Sequence, residues 1–297
     1  MSNSIALAQK YLPMLDEIYQ FASLTSPLDY NVVDYSGGNV VKIFKTSLQG
    51  LANYDRNSGF IDGSVTGSWE TLTLNRDRAR SFIIDRMDND ETLDQAFGSL
   101  AGEFIRTKVA PEIDAYRFAT YASTSGISAA TPATLTAATI IDAIDTAVLS
   151  MDENEVPCEG RILFITPANY SLLKKATAGM RFAPVSESDI NTNIETYDGM
   201  RIIKVPQGRF KTAITLYDGS TSGQTDGGYV AASGAKDINF MIIHPSAVLQ
   251  VPKHTLPRVF SPDENQKADA WKFDYRIYHD AFVLSNKLKG VYLHSKA

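Results

Sequence analysis

Between Ser68 and Glu91 the chain passes from a period-two pattern into dense charge, and that passage constrains its fold more than any other stretch. Trp69, Thr71 and Thr73 fall on one side and Glu70, Leu72 and Leu74 on the other, which is the alternation of a strand. Four arginines and five acids follow between Arg76 and Glu91. Buried charges need partners, so a run this dense belongs on a surface that meets water or the opposite charge of another chain. Taken alone it fits a solvated face, where an isolated ion pair contributes ~0–1 kcal/mol. Its place in the chain adds more, because a long turn-rich excursion precedes it and a long helix follows.

The excursion begins with Val32, Val33, Val40, Val41, Ile43 and Phe44, broken by Gly37-Gly38, which predicts two strands around a turn. Residues 49–68 then carry Gly50, Asn53, Asp55, Asn57, Ser58, Gly59, Asp62, Gly63, Ser64 and Gly67 with few apolar side chains. Such a tip cannot cover a core of its own. Together with the strand at 69–74, residues 35–84 read as a long β excursion, and a two-stranded excursion is only marginally stable alone. Its stabilisation has to come from another surface.

Residues 3–22 place Ile5, Ala8, Leu12, Leu15, Ile18 and Tyr19 at helical spacing, interrupted by Pro13. That stripe needs the body of the chain or a neighbouring subunit to cover it. Residues 91–121 predict the strongest helix, capped by Asp90. Its apolar face is formed by Leu93, Ala96, Phe97, Leu100, Ala101, Phe104, Ile105, Val109, Ile113 and Tyr116, with a kink expected at Pro111. A small polar linker at 122–134 leads to a helix over 135–151, a buried strand over 161–166 and a helix over 167–177. Further strands are expected at 200–205 and 212–217, so that 132–243 reads as an α/β unit. The remainder returns to strands: a short one at Val248–Val251, then 270–278, 281–284 and 290–294, dense in aromatics as a half-buried sheet prefers.

Composition excludes several classes. Hydrophobic residues are 44% and charged residues 21% of 297, and the net charge is −6. That is globular, without the basic stripe of a tight nucleic-acid binder. Any nucleic acid it meets is contacted weakly. Cys158 is the one cysteine, so no intrachain disulfide or Cys-rich zinc site is possible. No signal-peptide pattern and no run of about eighteen apolar residues occurs, so neither export by a signal peptide nor a membrane partner is expected. The four histidines, His244, His254, His279 and His294, fall in no HExxH pattern. His279 and Asp280 are adjacent, which on a strand points them to opposite faces. A G-x-S-x-G elbow and a phosphate-binding G-x-x-x-x-G-K-[ST] loop are also lacking. No catalytic, cofactor or metal site is expected, and the chain reads as no enzyme.

The strand, its arginine-rich exit and Phe82-Ile83-Ile84-Asp85-Arg86-Met87-Asp88-Asn89-Asp90-Glu91 resemble the end of the extended loop and the start of the spine helix in tailed-bacteriophage major capsid proteins of the Hong Kong 97 type. Phe240-Met241-Ile242-Ile243-His244-Pro245-Ser246-Ala247-Val248, followed by Pro252-Lys253-His254, resembles a later segment of that family. Trp271 to Val283 resembles another, and the order and spacing of the three cover nearly the whole chain.

The resemblance implies an α+β capsid fold. Residues 1–34 would be an N-arm and 35–84 an extended β loop lying over an adjacent subunit. Residues 85–131 and 244–297 would form a peripheral domain with a spine helix, and 132–243 an axial domain. It further implies self-assembly into the pentamers and hexamers of an icosahedral shell around phage double-stranded DNA, in a virion made in the host bacterial cytoplasm. Trp69, Arg76, Arg78, Arg80, Asp85, Arg86 and Asp88 would then make inter-subunit contacts. A portal and a separate scaffolding protein are expected partners, since no long helical segment precedes the N-arm. Some relatives join subunits through a lysine on the extended loop. Gly50 to Trp69 contains no lysine and Lys42 and Lys45 lie near the base, so a shell without covalent crosslinks is expected. Two alternatives remain from the residues: an encapsulin-like nanocompartment shell that recruits an enzyme by a peptide tail, and a soluble hydrolase or binding domain with no recognisable motif.

Overall fold

The computed structural model describes residues 23–31, 39–54, 56–57, 59–91, 95–177, 194–265 and 267–297. The helical stripe expected over 3–22, the paired valines Val32 and Val33, the Gly37-Gly38 turn and much of the loop at 184–198 lie outside them.

A 3-10 turn at Ser26–Asn31 precedes β1 (Val40–Leu48) and β2 (Val65–Thr73). These two pair antiparallel over their full length, Val40 opposite Thr73 and Leu48 opposite Val65. Only Leu74 and Asn75 separate β2 from β3 (Arg76–Asp85). Helices α1 (Arg86–Glu91), α2 (Gln95–Phe104) and α3 (Ala110–Ser123) follow, with a π-helical turn at Ile105–Val109 between the last two. The expected kink at Pro111 takes this form. A proline at the start of α3 has no N–H to donate and its ring crowds the preceding turn, and a wider π turn just before it absorbs the misfit. Asp90, expected as the cap of this helix, lies instead inside α1.

The middle of the chain contributes β4 (Ser128–Ala129), α4 (Ile140–Glu153), β5 (Ile162–Ile165), α5 (Pro167–Thr177), β6 (Thr196–Tyr197), β7 (Met200–Lys204), β8 (Ile214–Leu216), β9 (Tyr229–Ala231) and β10 (Ile238–Ile243). β11 (Val248–Phe260), β12 (Ala270–Val283) and β13 (Val291–Ser295) close it. A six-stranded sheet runs in the order β4-β13-β10-β5-β7-β6, and a three-stranded sheet runs β11-β12-β3. In the larger sheet β5 and β10 are buried at every position, as continuous apolar strands covered on both faces must be. One face carries Phe118, Tyr121, Phe164, Phe210 and Met241, and the other Ile140, Ile144, Met151, Leu163 and Phe240.

Two strands cross the boundaries that the sequence implied. β3, expected inside the loop excursion of 35–84, pairs with β12 from Arg76–His279 to Asp85–Ala270. β13, expected within the peripheral set of 244–297, pairs with β10 and β4 in the larger sheet. Both follow from pairing partners distant in sequence, which a local pattern cannot contain.

Candidate assembly surface

The β1–β2 hairpin is rooted in the body and bare beyond its root. At the root, Val41 and Leu74 are buried against Leu249 and Val251, with Ile43 and Leu72 alongside. Lys45 and Glu70 sit diagonally across the pair, their charges 3.0 Å apart. Ser285 donates to Glu70 at 3.1 Å and is itself contacted by the Lys45 ammonium. Leu74 N–H donates to the Asn39 carbonyl and Asn75 N–H to the Asp280 carboxylate. These contacts fix the direction in which the hairpin leaves.

Beyond that root the hairpin finds no cover among the described residues. Phe44 is 55% exposed, Trp69 63% and Phe60 89%; Leu48, Leu51, Tyr54, Ile61 and Val65 are exposed as well. Phe44 and Trp69 lie directly opposite one another, ring centroids 5.1 Å apart. β2 begins four residues earlier than the alternation predicted, and Gly67 is the reason it can. The Phe44 ring lies across it so closely that a Cβ there would stand 2.4 Å from the ring. An aromatic covering a strand glycine replaces the contacts the glycine lacks. Tyr54 and Phe60 make a second ring pair, centroids 5.0 Å apart, near the tip. An exposed apolar ribbon of this kind marks an interaction surface.

The charged residues picked out in sequence divide into two sets. Arg76, Arg78 and Arg80 alternate along β3, so one face carries all three, and each is engaged inside the subunit. Arg76 lies over the Tyr116 ring at 5.2 Å. Arg78 makes a forked pair with Glu112, at 2.7 and 3.2 Å. Arg80 donates to the Thr225 carbonyl at 3.2 Å. Asp85 accepts from the Met87 N–H at 2.9 Å and so starts α1. Arg86 stands 3.8 Å from Asp269, both largely exposed, and Asp88 is partly exposed on α1. Trp69 lies on the hairpin, away from this set.

Sequence reasoning missed one buried polar centre. Asp114 on α3 is fully buried and accepts five hydrogen bonds. Ser23 Oγ donates at 2.9 Å, Leu24 N–H at 2.9 Å, Thr25 N–H at 3.2 Å, Thr25 Oγ1 at 2.8 Å and Arg209 Nη1 at 3.0 Å. Arg117, one turn on, donates to Thr25 Oγ1 at 2.7 Å. α3 thus fastens the chain at residues 23–25. A readable trace existed, since Asp114 and Arg117 share helical spacing with Phe118 and Tyr121, and charge on an apolar stripe demands a partner.

The histidines take structural places. His294 Nδ1 is 3.1 Å from the Asn239 amide, and His244 contacts Ser246 and the Glu159 carbonyl. His279 is buried beside Tyr116, with no partner for its Nδ1 among the described residues. Burial, with Arg117, Arg76 and Arg78 nearby, pushes its imidazole down to about 4. Among the described residues no group of three or more His, Cys, Asp or Glu side chains could hold a metal, and no helix is long and apolar enough to cross a membrane.

No protein-family model and no curated protein matches the sequence. Solved structures do match, from end to end. The capsid structure of the cyanophage P-SCSP1u superposes with a TM-score of 0.69 at 15% identity, over 98% of this chain and 93% of that one. The mature capsid of bacteriophage PhiM1 gives 0.68 at 13%, over 98% and 92%. A virus-like particle from Pyrococcus furiosus gives 0.51 at 12%, over 91% and 97%. Together with the rooted hairpin, the spine helix and the two sheets, these likenesses establish that the chain has the Hong Kong 97-type fold of phage capsid subunits.

Proposed function

We propose that this chain is a major capsid protein, which assembles through copies of itself into the pentamers and hexamers of an icosahedral shell enclosing phage double-stranded DNA. The observation that carries the reading is the hairpin: a rooted apolar ribbon without cover among the described residues, on a fold shared end to end with capsid subunits. Covering the exposed parts of Phe44, Leu48, Phe60 and Trp69 on a second copy contributes on the order of 4–8 kcal/mol before the entropic cost of association. Symmetry repeats that gain at every subunit.

In this reading residues 1–34 are the N-arm and the β1–β2 hairpin is the working part of the extended loop of 35–84. The spine helix with β11 and β12 belongs to the peripheral domain of 85–131 and 244–297, which β3 joins from the end of the loop segment, and 132–243 is the axial domain. Trp69 with Phe44 supplies apolar contact. Asp85, Arg86 and Asp88 at the start of α1 supply charge that sets register more than affinity. A scaffolding protein and a portal are its partners in a virion built in the host bacterial cytoplasm. The net charge of −6 supports a wall that touches DNA weakly. The likeness to a virus-like particle keeps a nanocompartment shell as the second reading, which shares the same assembly chemistry.

The test is Phe44→Ser combined with Trp69→Ser. The subunit keeps its melting temperature within a few degrees, because neither side chain is buried in it, while rings and shells disappear from light scattering and negative-stain images. Shells of normal yield from the double variant would overturn the reading.

A further inference from the structure

Arg78 and Arg80 converge with the loop between β8 and β9. Arg78 Nη1 donates to the Tyr217 carbonyl at 2.6 Å, and its Nη2 approaches the Gly228 carbonyl at 3.5 Å. Tyr217 and Gly228 are the two ends of that loop, joined by their own hydrogen bond at 2.9 Å. Arg80 reaches further along, to the Thr225 carbonyl, and the loop backbone wraps its guanidinium closely. At Gly219, where φ is +77°, a Cβ would stand 3.2 Å from Arg80 Nη1; at Gly227, where φ is +69°, it would stand 3.8 Å away. The loop is shaped in advance, because Asp218 accepts from Ser220 N–H, Thr221 N–H and the Thr221 hydroxyl. Glu112 on α3 holds the other side of Arg78 through both carboxylate oxygens.

Behind the loop is a cavity of about 810 Å³ between β3, β12 and the spine helix. Phe82, Phe104, Tyr275 and Ile277 line its apolar wall, and Tyr217, Gly219, Gly227 and Tyr229 belong to its loop side. Charged side chains such as Glu103 and Lys108 also line the cavity, but its apolar wall gains little by remaining open to water, and the three-residue strands β8 and β9 are too short to hold the loop in place by themselves.

We propose that Arg78, braced by Glu112, is a clasp that seats the 217–228 loop over this cavity, with Arg80 as its second point of attachment. The role is positional and belongs to the single subunit, distinct from contact between subunits. A forked guanidinium is required, because one donor set must serve a carboxylate and a backbone carbonyl at once, and a lysine ammonium has no such fork.

The test is hydrogen–deuterium exchange on the full-length, unassembled subunit. Arg78→Ala raises exchange of the 217–228 amides about tenfold or more, as expected on losing a charge-assisted hydrogen bond from a local opening equilibrium, and leaves β5 and β10 unchanged. Arg78→Lys does not restore protection. Glu112→Ala gives a partial rise, and the double variant is no worse than Arg78→Ala alone, because the two side chains act as one unit. Binding of an apolar fluorescent dye rises in parallel as the cavity wall is uncovered. Unchanged exchange over 217–228 in Arg78→Ala, or full rescue by lysine, would overturn the clasp. Should Arg78→Ala fail to fold, Arg80→Ala, which leaves the Glu112 pair intact, must still raise exchange around Thr225, and its failure to do so would be equally fatal. None of these readouts depends on whether shells form.

Discussion

Asp114 shows how much a single carboxylate can organise. Five donors converge on it, and one is the nearly buried guanidinium of Arg209. Breaking a buried pair leaves an uncompensated charge, which costs about 3–5 kcal/mol. Asp114→Ala is therefore expected to lower subunit stability by that amount in urea denaturation and to release the chain at residues 23–25. A loss below about 1 kcal/mol would contradict this. His279 gives a pH signature. Its folded value of about 4 lies below the ordinary 6.5, so the unfolded chain binds the proton first. Its contribution is fully present above about pH 6.5 and is lost as pH falls towards 4, amounting to roughly 3 kcal/mol across the window. His244 and His294 are shifted in the same direction by burial, so the comparison with His279→Gln isolates the one residue. The variant should lose stability less steeply between pH 6.5 and 4, and identical slopes would refute the assignment. Neither residue's partners could be read from the sequence, although a charge on an apolar stripe marked Asp114 as needing one. Asp114 finds its donors near residues 24 and 209, and His279 owes its shift to burial, which one strand's alternation does not disclose.

At the scale of elements, legibility followed locality. The α5 helix over 167–177 and the buried β5 strand were readable from a proline at the first helical position and an unbroken apolar run. The hairpin was readable in kind: a tip too polar to cover a core, rooted by apolar residues. β11 was not readable at full length. Pro252 and Pro257 interrupt it, and proline within a run argues against a strand. It survives because it is an edge strand of its sheet, with a register shift between Pro252 and His254, and edges tolerate both missing donors and bulges. The arginines of β3 were legible as a charged face, but not in what they contact within the subunit. Their density pointed outward, yet Arg78 and Arg80 turn to a glycine-rich loop some 140 residues further on. Spacing told that the three share a face; only the β3–β12 pairing told what that face meets.

The described residues divide into parts that satisfy themselves and one that does not. The two faces of the larger sheet are closed within the chain, and the spine helix binds residues 23–25, β3 and the 217–228 loop into the same body. Among the described residues the hairpin alone projects strongly exposed aromatic side chains, from a root held by Lys45, Glu70 and Ser285. A subunit built this way is complete as a fold and incomplete as a surface, which is the property that an assembling shell requires. The most direct measurement is cryo-electron microscopy of particles formed by the purified protein, read at the positions of Phe44 and Trp69. Closed shells of fivefold and sixfold rings are expected, with both side chains covered by a second copy. Particles in which the hairpin stays bare to solvent, or folds back onto its own subunit, would contradict it.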